Sequence, residues 1–317
     1  MSSVPAHGDV DVAVVGSLNM DLTVRVRRHP RPGETVSGSA LTLSAGGKGA
    51  NQAVAAARLG ARTAMIGRVG NDAHADTLLD SLTADTVDTT HTVRDTEAPT
   101  GTALITVADS GENHIIVSAG ANAHVSSVDI DAARALLASA RVVSLVLEIP
   151  VDTVVAAARA ARSSARIVLN LSPVTELPTT VLALADPLIV NEHEARELLR
   201  SHGITGERGP GQAGGLLGLG VRSAVVTLGA DGAAIAEADR VQHIPGLRVD
   251  VADTTGAGDA FTAALAWRLS RGDTLADAAR YAIHVSAYSV GRAGAQPSYP
   301  TADVLAAGGS PMISPSS

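Results

Sequence analysis

The densest chemistry in the chain lies in Asp253-Thr254-Thr255-Gly256-Ala257-Gly258-Asp259, directly ahead of a helical run over 260–269. Small residues at a helix start let successive backbone N–H groups converge on an anion, and the helix dipole adds positive potential there. A carboxylate beside such a pocket is electrostatically awkward unless it moves a proton or faces a cation. The pattern therefore suggests phosphoryl transfer: Gly256, Ala257 and Gly258 hold the migrating phosphoryl charge, and Asp259 takes the proton of an attacking hydroxyl. The same residues also suit a plain turn, with Asp253 or Thr254 as N-cap and Asp259 favouring the dipole.

A second group opens with Gly46-Gly47-Lys48-Gly49-Ala50-Asn51-Gln52. Glycines let a ligand approach the backbone, and Lys48 and Asn51, three apart, are neighbours on a helix start. Lysine, asparagine and backbone donors suit sugar hydroxyls; a Gly-rich loop with a solvated lysine gives the same pattern. Asn19 and Asp21 follow the first apolar run, and an i, i+2 spacing places both on one face of an extended chain, although an Asx residue there also serves turns. Glu148 ends another apolar run, at the edge where α/β ligand crevices form. Asn191 and Glu194 have the spacing of a capping box and can also hold water around Mg²⁺ near phosphates.

Other chemistries lose their support. No G-x-x-x-x-G-K-[ST] occurs, and no G-x-G-x-x-G follows the first strand, which removes the main signals for P-loop NTPases and for dinucleotide-dependent dehydrogenases. There is no cysteine, so thiol catalysis and thiolate metal sites are excluded, and a reducing cytoplasm is the expected setting. A net charge of −8 disfavours nucleic acid and anionic membrane as partners, and no long apolar run or leader-like segment stands out. The ten histidines show no metal-ligand spacing.

The elements that must position these residues follow from pattern. With 45% hydrophobic residues but five aromatics, the core must be close-packed Ala, Val and Leu, as in buried parallel strands with Ala-rich helices. Strands are expected over 11–17, 63–69, 142–147, 167–170, 188–190 and 223–228, and helices over 48–59, 73–84, 151–162, 192–200, 258–271 and 275–290. Stretches at 22–43 and 100–118 read instead as antiparallel ribbons that together form a small sheet. Residues 203–220 carry eight glycines and leave a helix there poorly specified.

On the motifs Gly-Gly-Lys-Gly-Ala-Asn-Gln and Asp-Thr-Thr-Gly-Ala-Gly-Asp, in that order, the chain resembles the ribokinase family of carbohydrate kinases over 11–299. The resemblance implies an α/β, three-layer fold with a central mostly parallel sheet. One kinase domain spans 11–304, with a small β-sheet lid from about 19–45 and 99–119, and 1–10 and 305–317 are disordered tails. It implies transfer from ATP to O5 of D-ribose, with 2-deoxyribose, a nucleoside or a non-catalytic sugar-binding role as rivals. Retention of Asp259 and of Gly256 and Gly258 speaks for an enzyme, and the few aromatics speak against a stacked purine substrate.

By the same resemblance Asn19, Asp21, Gly47, Lys48, Asn51 and Glu148 bind the sugar with Asp259. Thr227, Gly229, Asp231, Gly232 and Gly258 border the nucleotide, and Asn191 and Glu194 lie on the phosphate and Mg²⁺ side. Asp253, Thr255, Ser289, Arg292, Gly294 and Ser298 surround K⁺, with Arg292 contributing a carbonyl because a guanidinium cannot ligate a cation. A homodimer through the lid is implied as well. One departure stands at Ile283, where family members commonly place Asn or His near the adenine, with His284 next door.

Overall fold

The computed structural model describes residues 10–161, 163–238 and 240–307. Of the tails expected at 1–10 and 305–317, residues 1–9 and 308–317 lie outside the described residues. Towards the C-terminus a short helix, Ala302–Ala306, carries order past the boundary expected at 304.

Among the described residues the first half of the chain forms β1 (Val12–Val15), β2 (Asn19–Val26), β3 (Thr42–Gly46), α1 (Lys48–Arg58), β4 (Thr63–Val69), α2 (Ala73–Ala84), β5 (Asp88–Arg94), β6 (Gly101–Ala108), β7 (Asn113–Ser118), α3 (Ser127–Ala132), α4 (Arg134–Ser139) and β8 (Val142–Val146). The second half forms α5 (Val151–Ala160), β9 (Arg166–Asn170), α6 (Thr179–Leu182), β10 (Ala185–Asn191), α7 (Glu192–Ser201), α8 (Pro210–Leu217), β11 (Ser223–Thr227), β12 (Ala233–Glu237), β13 (Arg240–Ile244), α9 (Ala257–Ser270), α10 (Leu275–Val290) and α11 (Ala302–Ala306).

The large sheet has the order β13-β12-β11-β10-β9-β8-β1-β4-β5. It is parallel from β5 to β11 and ends in two antiparallel strands. Because side chains alternate across a strand, Val12 and Val14 of β1 face one apolar layer and Ala13 and Val15 the other. The first layer holds α1, α2, α9 and α10, and the second holds α3 to α8. Burial on both faces explains the unbroken apolar runs of β1 and β8. Chain direction across the sheet reverses beside β1, whose neighbours are β4 and β8, so loops leave β1 and β8 in opposite directions and open a crevice at their carboxyl ends.

The smaller sheet, β3-β2-β6-β7, is the expected lid. β2 pairs antiparallel with β3 and parallel with β6, and β6 pairs antiparallel with β7. Expectation and structure part at β5, β12 and β13, at the short helices α3, α4 and α6, and at α8. The last forms within the glycine-rich stretch because Pro210 starts it and Gln212 Oε1 accepts the Gly209 N–H (3.1 Å). Its glycines admit neighbours: a Cβ on Gly215 would lie 3.2 Å from Leu199.

Candidate active site

The site assembles where the carboxyl ends of β1, β8, β9, β10 and β11 meet the amino ends of α1 and α9. Gly47, at the start of α1, has φ +88, and a Cβ there would strike the Asn19 amide nitrogen at 2.6 Å. A glycine is required, and it lets α1 begin directly against the β1–β2 turn. Asn19 is buried, and its Oδ1 accepts from Asn122 Nδ2 (2.8 Å), which also binds the Leu18 carbonyl (3.0 Å). Asp21, two residues along β2, sits against Gly46 so closely that a Cβ there would lie 2.3 Å from its carboxylate.

Lys48 and Glu148 converge: the ammonium forms an ion pair with Glu148 Oε1, and Glu148 Oε2 accepts from Ser17 Oγ. Burial pulls the Lys48 ammonium down, but the Glu148 carboxylate outweighs it and holds the amine above its ordinary range. Lys48 is the only lysine in a chain otherwise furnished with arginine, a signal of function that composition alone carries.

Asp259, in the first turn of α9, is 8% exposed and anchored from α1. Asn51 Nδ2 donates to its Oδ2 (3.0 Å) and Gln52 Nε2 to its Oδ1 (3.2 Å). Burial pushes the Asp259 carboxyl up to about 6, against the pull of Lys48, Asn51 and Gln52. Burial, then the charges of Glu148 and Asp259, push Asp21 up to about 7. Both acids therefore stand near neutrality, where a carboxylate can exchange a proton with a hydroxyl.

Beneath Asp259 lies a polar layer that the motifs leave unassigned. Gln52 also donates to Asn170 Oδ1 (3.1 Å) and accepts from Ser144 Oγ (2.8 Å), while Gln296 donates to Asn51 Oδ1 (3.2 Å). Gln52, Ser144, Asn170 and Gln296 are all buried and hydrogen-bonded, which fixes the rotamers of the two amides that hold the acid. Gln52 lies inside the quoted glycine-rich run, whereas Ser144, Asn170 and Gln296 come from distant segments.

The turn before α9 is built around Gly256, in the left-handed region at φ +73, where a Cβ would meet the Tyr299 hydroxyl at 2.4 Å. The Ala257 N–H is given to the Thr254 carbonyl (3.2 Å), and the helical ladder begins with Ala260 N–H to the Gly256 carbonyl (2.9 Å). Of the three residues expected to offer amides, Ala257 thus has its own engaged within the turn, while the amides of Gly256 and Gly258 lie ahead of the ladder. A Cβ on Gly258 would meet nothing within 4 Å, and the residue lines open space in the crevice.

Two joined cavities meet at Thr227 and Gly258. One of about 210 Å³ is bordered by Lys48, Asn170, Asn191, Glu194, Gly256 and Asp259. Asn191 and Glu194 form the full capping box, Asn191 N–H to Glu194 Oε2 (2.8 Å) and Glu194 N–H to Asn191 Oδ1 (2.9 Å), so the residues that cap α7 also border this cavity. The other, of about 590 Å³, has Gly229, Gly232, Leu247, Val251, Phe261 and Ile283 among its walls. Ile283 faces this cavity, while His284 is exposed and outside its lining. Asp231 also lies outside it, paired with Arg208 (2.9 Å).

The segments expected around a monovalent cation are tied together. Asp253 Oδ1 accepts from Thr255 N–H and Oγ (2.9 and 2.6 Å), and Oδ2 from Gly294 N–H (2.8 Å). Burial would raise the Asp253 acid, but these bonds prevail and hold it ionised. Ser298 Oγ donates to the Ala295 carbonyl (2.7 Å) and Ser289 Oγ to the Ser286 carbonyl (2.8 Å). The Arg292 guanidinium folds back over the Tyr288 ring, 3.5 Å from its centre, and leaves only its backbone to the loop.

A near-neutral carboxylate at a helix amino end, beside a crevice long enough for a polyhydroxylated acceptor and a nucleotide, is the equipment of a kinase acting on small alcohols. The chain belongs to the pfkB family of carbohydrate kinases, whose pattern it matches over residues 9–302. It is 37% identical to a ribokinase of Staphylococcus aureus over 293 residues, covering 91% of this chain and 96% of that protein. It is 38% identical to a ribokinase of Mus musculus, covering 91% of each chain. The structure of Arabidopsis thaliana ribokinase complexed with ribose and ATP superposes with a TM-score of 0.84 at 31% identity, over 94% of this chain and 98% of that one.

Proposed function

We propose that this enzyme transfers the γ-phosphoryl group of ATP to O5 of D-ribose, giving ribose 5-phosphate and ADP. The observation that carries the reading is Asp259, held by Asn51 and Gln52 at the amino end of α9 with its acid pushed up to about 6. Family membership and the ribokinases among its relatives support the sugar and the donor.

In this reading Asn19, Asp21, Gly47, Lys48, Asn51 and Glu148 fix the ribose hydroxyls, with O5 towards Asp259. Asp259 takes the O5 proton as the new P–O bond forms and the bond to the ADP oxygen breaks. The open space over Gly258 receives the transferring group, whose charge meets the amides of that turn and the Lys48 ammonium. Gly256 shapes the turn, and Thr227, Gly229 and Gly232 border the nucleotide. The lid sheet closes over the sugar and excludes water, which suppresses hydrolysis of ATP.

Asn191 and Glu194 would hold the water shell of Mg²⁺, because the capping box leaves Glu194 Oε1 for that task. Magnesium supplies charge neutralisation at the phosphates when bound. A carboxylate held ionised in a loop suits K⁺, so Asp253 with Thr255, Ser289, Arg292, Gly294 and Ser298 would hold that cation and support the Gly256 turn from behind. A second copy would cover the exposed apolar lid residues Leu43, Leu104, Ile115, Ile116 and Val117, giving a homodimer. A cytoplasmic setting supplies ATP and suits a chain without cysteine. Among the described residues no helix is long and apolar enough to cross a membrane.

The test is ³¹P NMR of the product from ribose and Mg-ATP, with and without K⁺. A monoester at O5 and turnover raised by K⁺ are expected; a phosphate at another position, or none, would overturn the reading.

A further inference from the structure

On the opposite edge of the large sheet, away from the crevice, three arginines gather around one carboxylate. Asp11 immediately precedes β1, Arg62 precedes β4 and Arg141 precedes β8, so parallel pairing brings the three together. Arg271, at the carboxyl end of α9, and Trp267, one turn earlier, complete a cavity of about 300 Å³ lined by these five residues. Asp259 and Arg271 stand at opposite ends of one helix, about 18 Å apart at 1.5 Å per residue. The cavity is therefore separate from the catalytic crevice.

Among the described residues its lining holds three guanidiniums and one carboxylate. Asp11 is engaged by Arg62, with Nε and Nη2 donating to its two oxygens at 3.0 and 2.9 Å. The Arg141 Nε lies 3.8 Å from the same carboxylate, beyond hydrogen-bond reach, and its Nη1 reaches only the Ser270 carbonyl at 3.5 Å. The Arg271 guanidinium stacks on the Trp267 indole, 5.1 Å from the ring centre. Arg141 and Arg271 each carry five donors, and both are exposed to solvent. Stabilisation of the α9 carboxyl end accounts for one basic group near the last turn but not for two further guanidiniums converging on it from the entries of β4 and β8.

We propose that this cavity binds a small organic phosphate, its phosphate between Arg141 and Arg271 and its carbon skeleton against Trp267. Forked guanidiniums match phosphate oxygens in pairs, and the indole offers an apolar wall. The volume exceeds that of a bare phosphate ion, which is the reason for assigning an organic ester.

Trp267 is the only tryptophan in the chain, so the site contains its own probe. Intrinsic fluorescence of the full-length enzyme is titrated with glucose 6-phosphate, with glucose and with inorganic phosphate, at low and high KCl. Saturable quenching by glucose 6-phosphate is expected, weakened by salt, with no response to glucose. Arg141→Gln and Arg271→Gln, singly and together, are expected to weaken it tenfold or more while leaving the KM for the catalysed reaction and the melting temperature unchanged. Absence of saturation in the wild type, or equal titrations of wild type and both single variants, would overturn the site. Inorganic phosphate binding as tightly as the ester would overturn the assignment to an organic phosphate.

Discussion

Replacement of Asp259 by asparagine tests the electrostatics of the site along two axes at once. In the folded enzyme burial lifts this acid from its ordinary 3.8 to about 6. A raised carboxyl pKa means that the fold favours the protonated form: its contribution is fully present below pH 3.8 and lost as pH rises through 6. Holding the acid that far above its ordinary value sets about 3 kcal/mol against the fold at pH 8. Asp259→Asn removes the charge and releases that strain, but its single carbonyl oxygen cannot accept from both Asn51 and Gln52. One buried donor left without a partner costs about 1–2 kcal/mol. The net expectation is a gain of about 1–2 kcal/mol at pH 8, a rise of a few degrees in melting temperature, and a loss of about 1–2 kcal/mol at pH 3, below both pKa values, where the relieved penalty vanishes and only the unpaired donor remains. Differential scanning calorimetry at the two pH values reads the sign change. Loss of a general base should also lower kcat by about 10²- to 10⁴-fold with little change in substrate binding. Melting curves that stay parallel to wild type across this pH range, or kcat within a factor of ten, would refute the reasoning.

Other perturbations separate fold from chemistry. Gly256→Ala should lower stability by about 1–3 kcal/mol, since left-handed backbone and the Tyr299 hydroxyl both oppose a Cβ, read by urea denaturation. Gly258→Ala should leave stability unchanged or slightly raised, as a helical glycine replaced, yet lower kcat about 10²-fold by filling the space over the amide; a variant of normal kcat would dismiss that space as the phosphoryl site. The kcat/KM of the wild type should fall about tenfold per pH unit below about 6, because Asp259 must be ionised to act as base, and a flat profile between pH 5 and 8 would exclude it. Lys48→Met leaves the Glu148 carboxylate buried without its partner, so the KM for sugar should rise at least tenfold in steady-state assays.

Much of this was legible in the sequence because local rules and fold agree. The apolar runs of β1 and β8, the Ala-rich helices, and the two glycine motifs each point to one structure, and the ribbons read at 22–43 and 100–118 fall on β2, β3, β6 and β7 of the smaller sheet, with 27–41 left as loop. What was not legible has physical reasons. β5 (Asp88–Arg94) is an edge strand with a largely polar, exposed surface and carries no apolar signal. β12 (Ala233–Glu237) is a buried alanine-rich run, which local propensity reads as helix until pairing with β11 decides. The acid and its anchors lie 207 and 208 residues apart, so nothing local links Gln52 and Asn51 to Asp259. Ser144, Asn170 and Gln296 gain their role only through packing, and each alone is an ordinary polar residue, Ser144 in the middle of β8, Asn170 at the end of β9 and Gln296 in the loop after α10. Lys48 as the only lysine was a compositional signal of another kind, independent of periodicity.

The most direct measurement of the central claim is ADP release from Mg-ATP with ribose, 2-deoxyribose, fructose, adenosine or no sugar, at equal concentrations. The highest kcat/KM is predicted with ribose, and negligible release without sugar, because the proposed closure of the smaller sheet over the sugar excludes water. Turnover fastest with another acceptor, or ADP release that ignores the sugar, would contradict it.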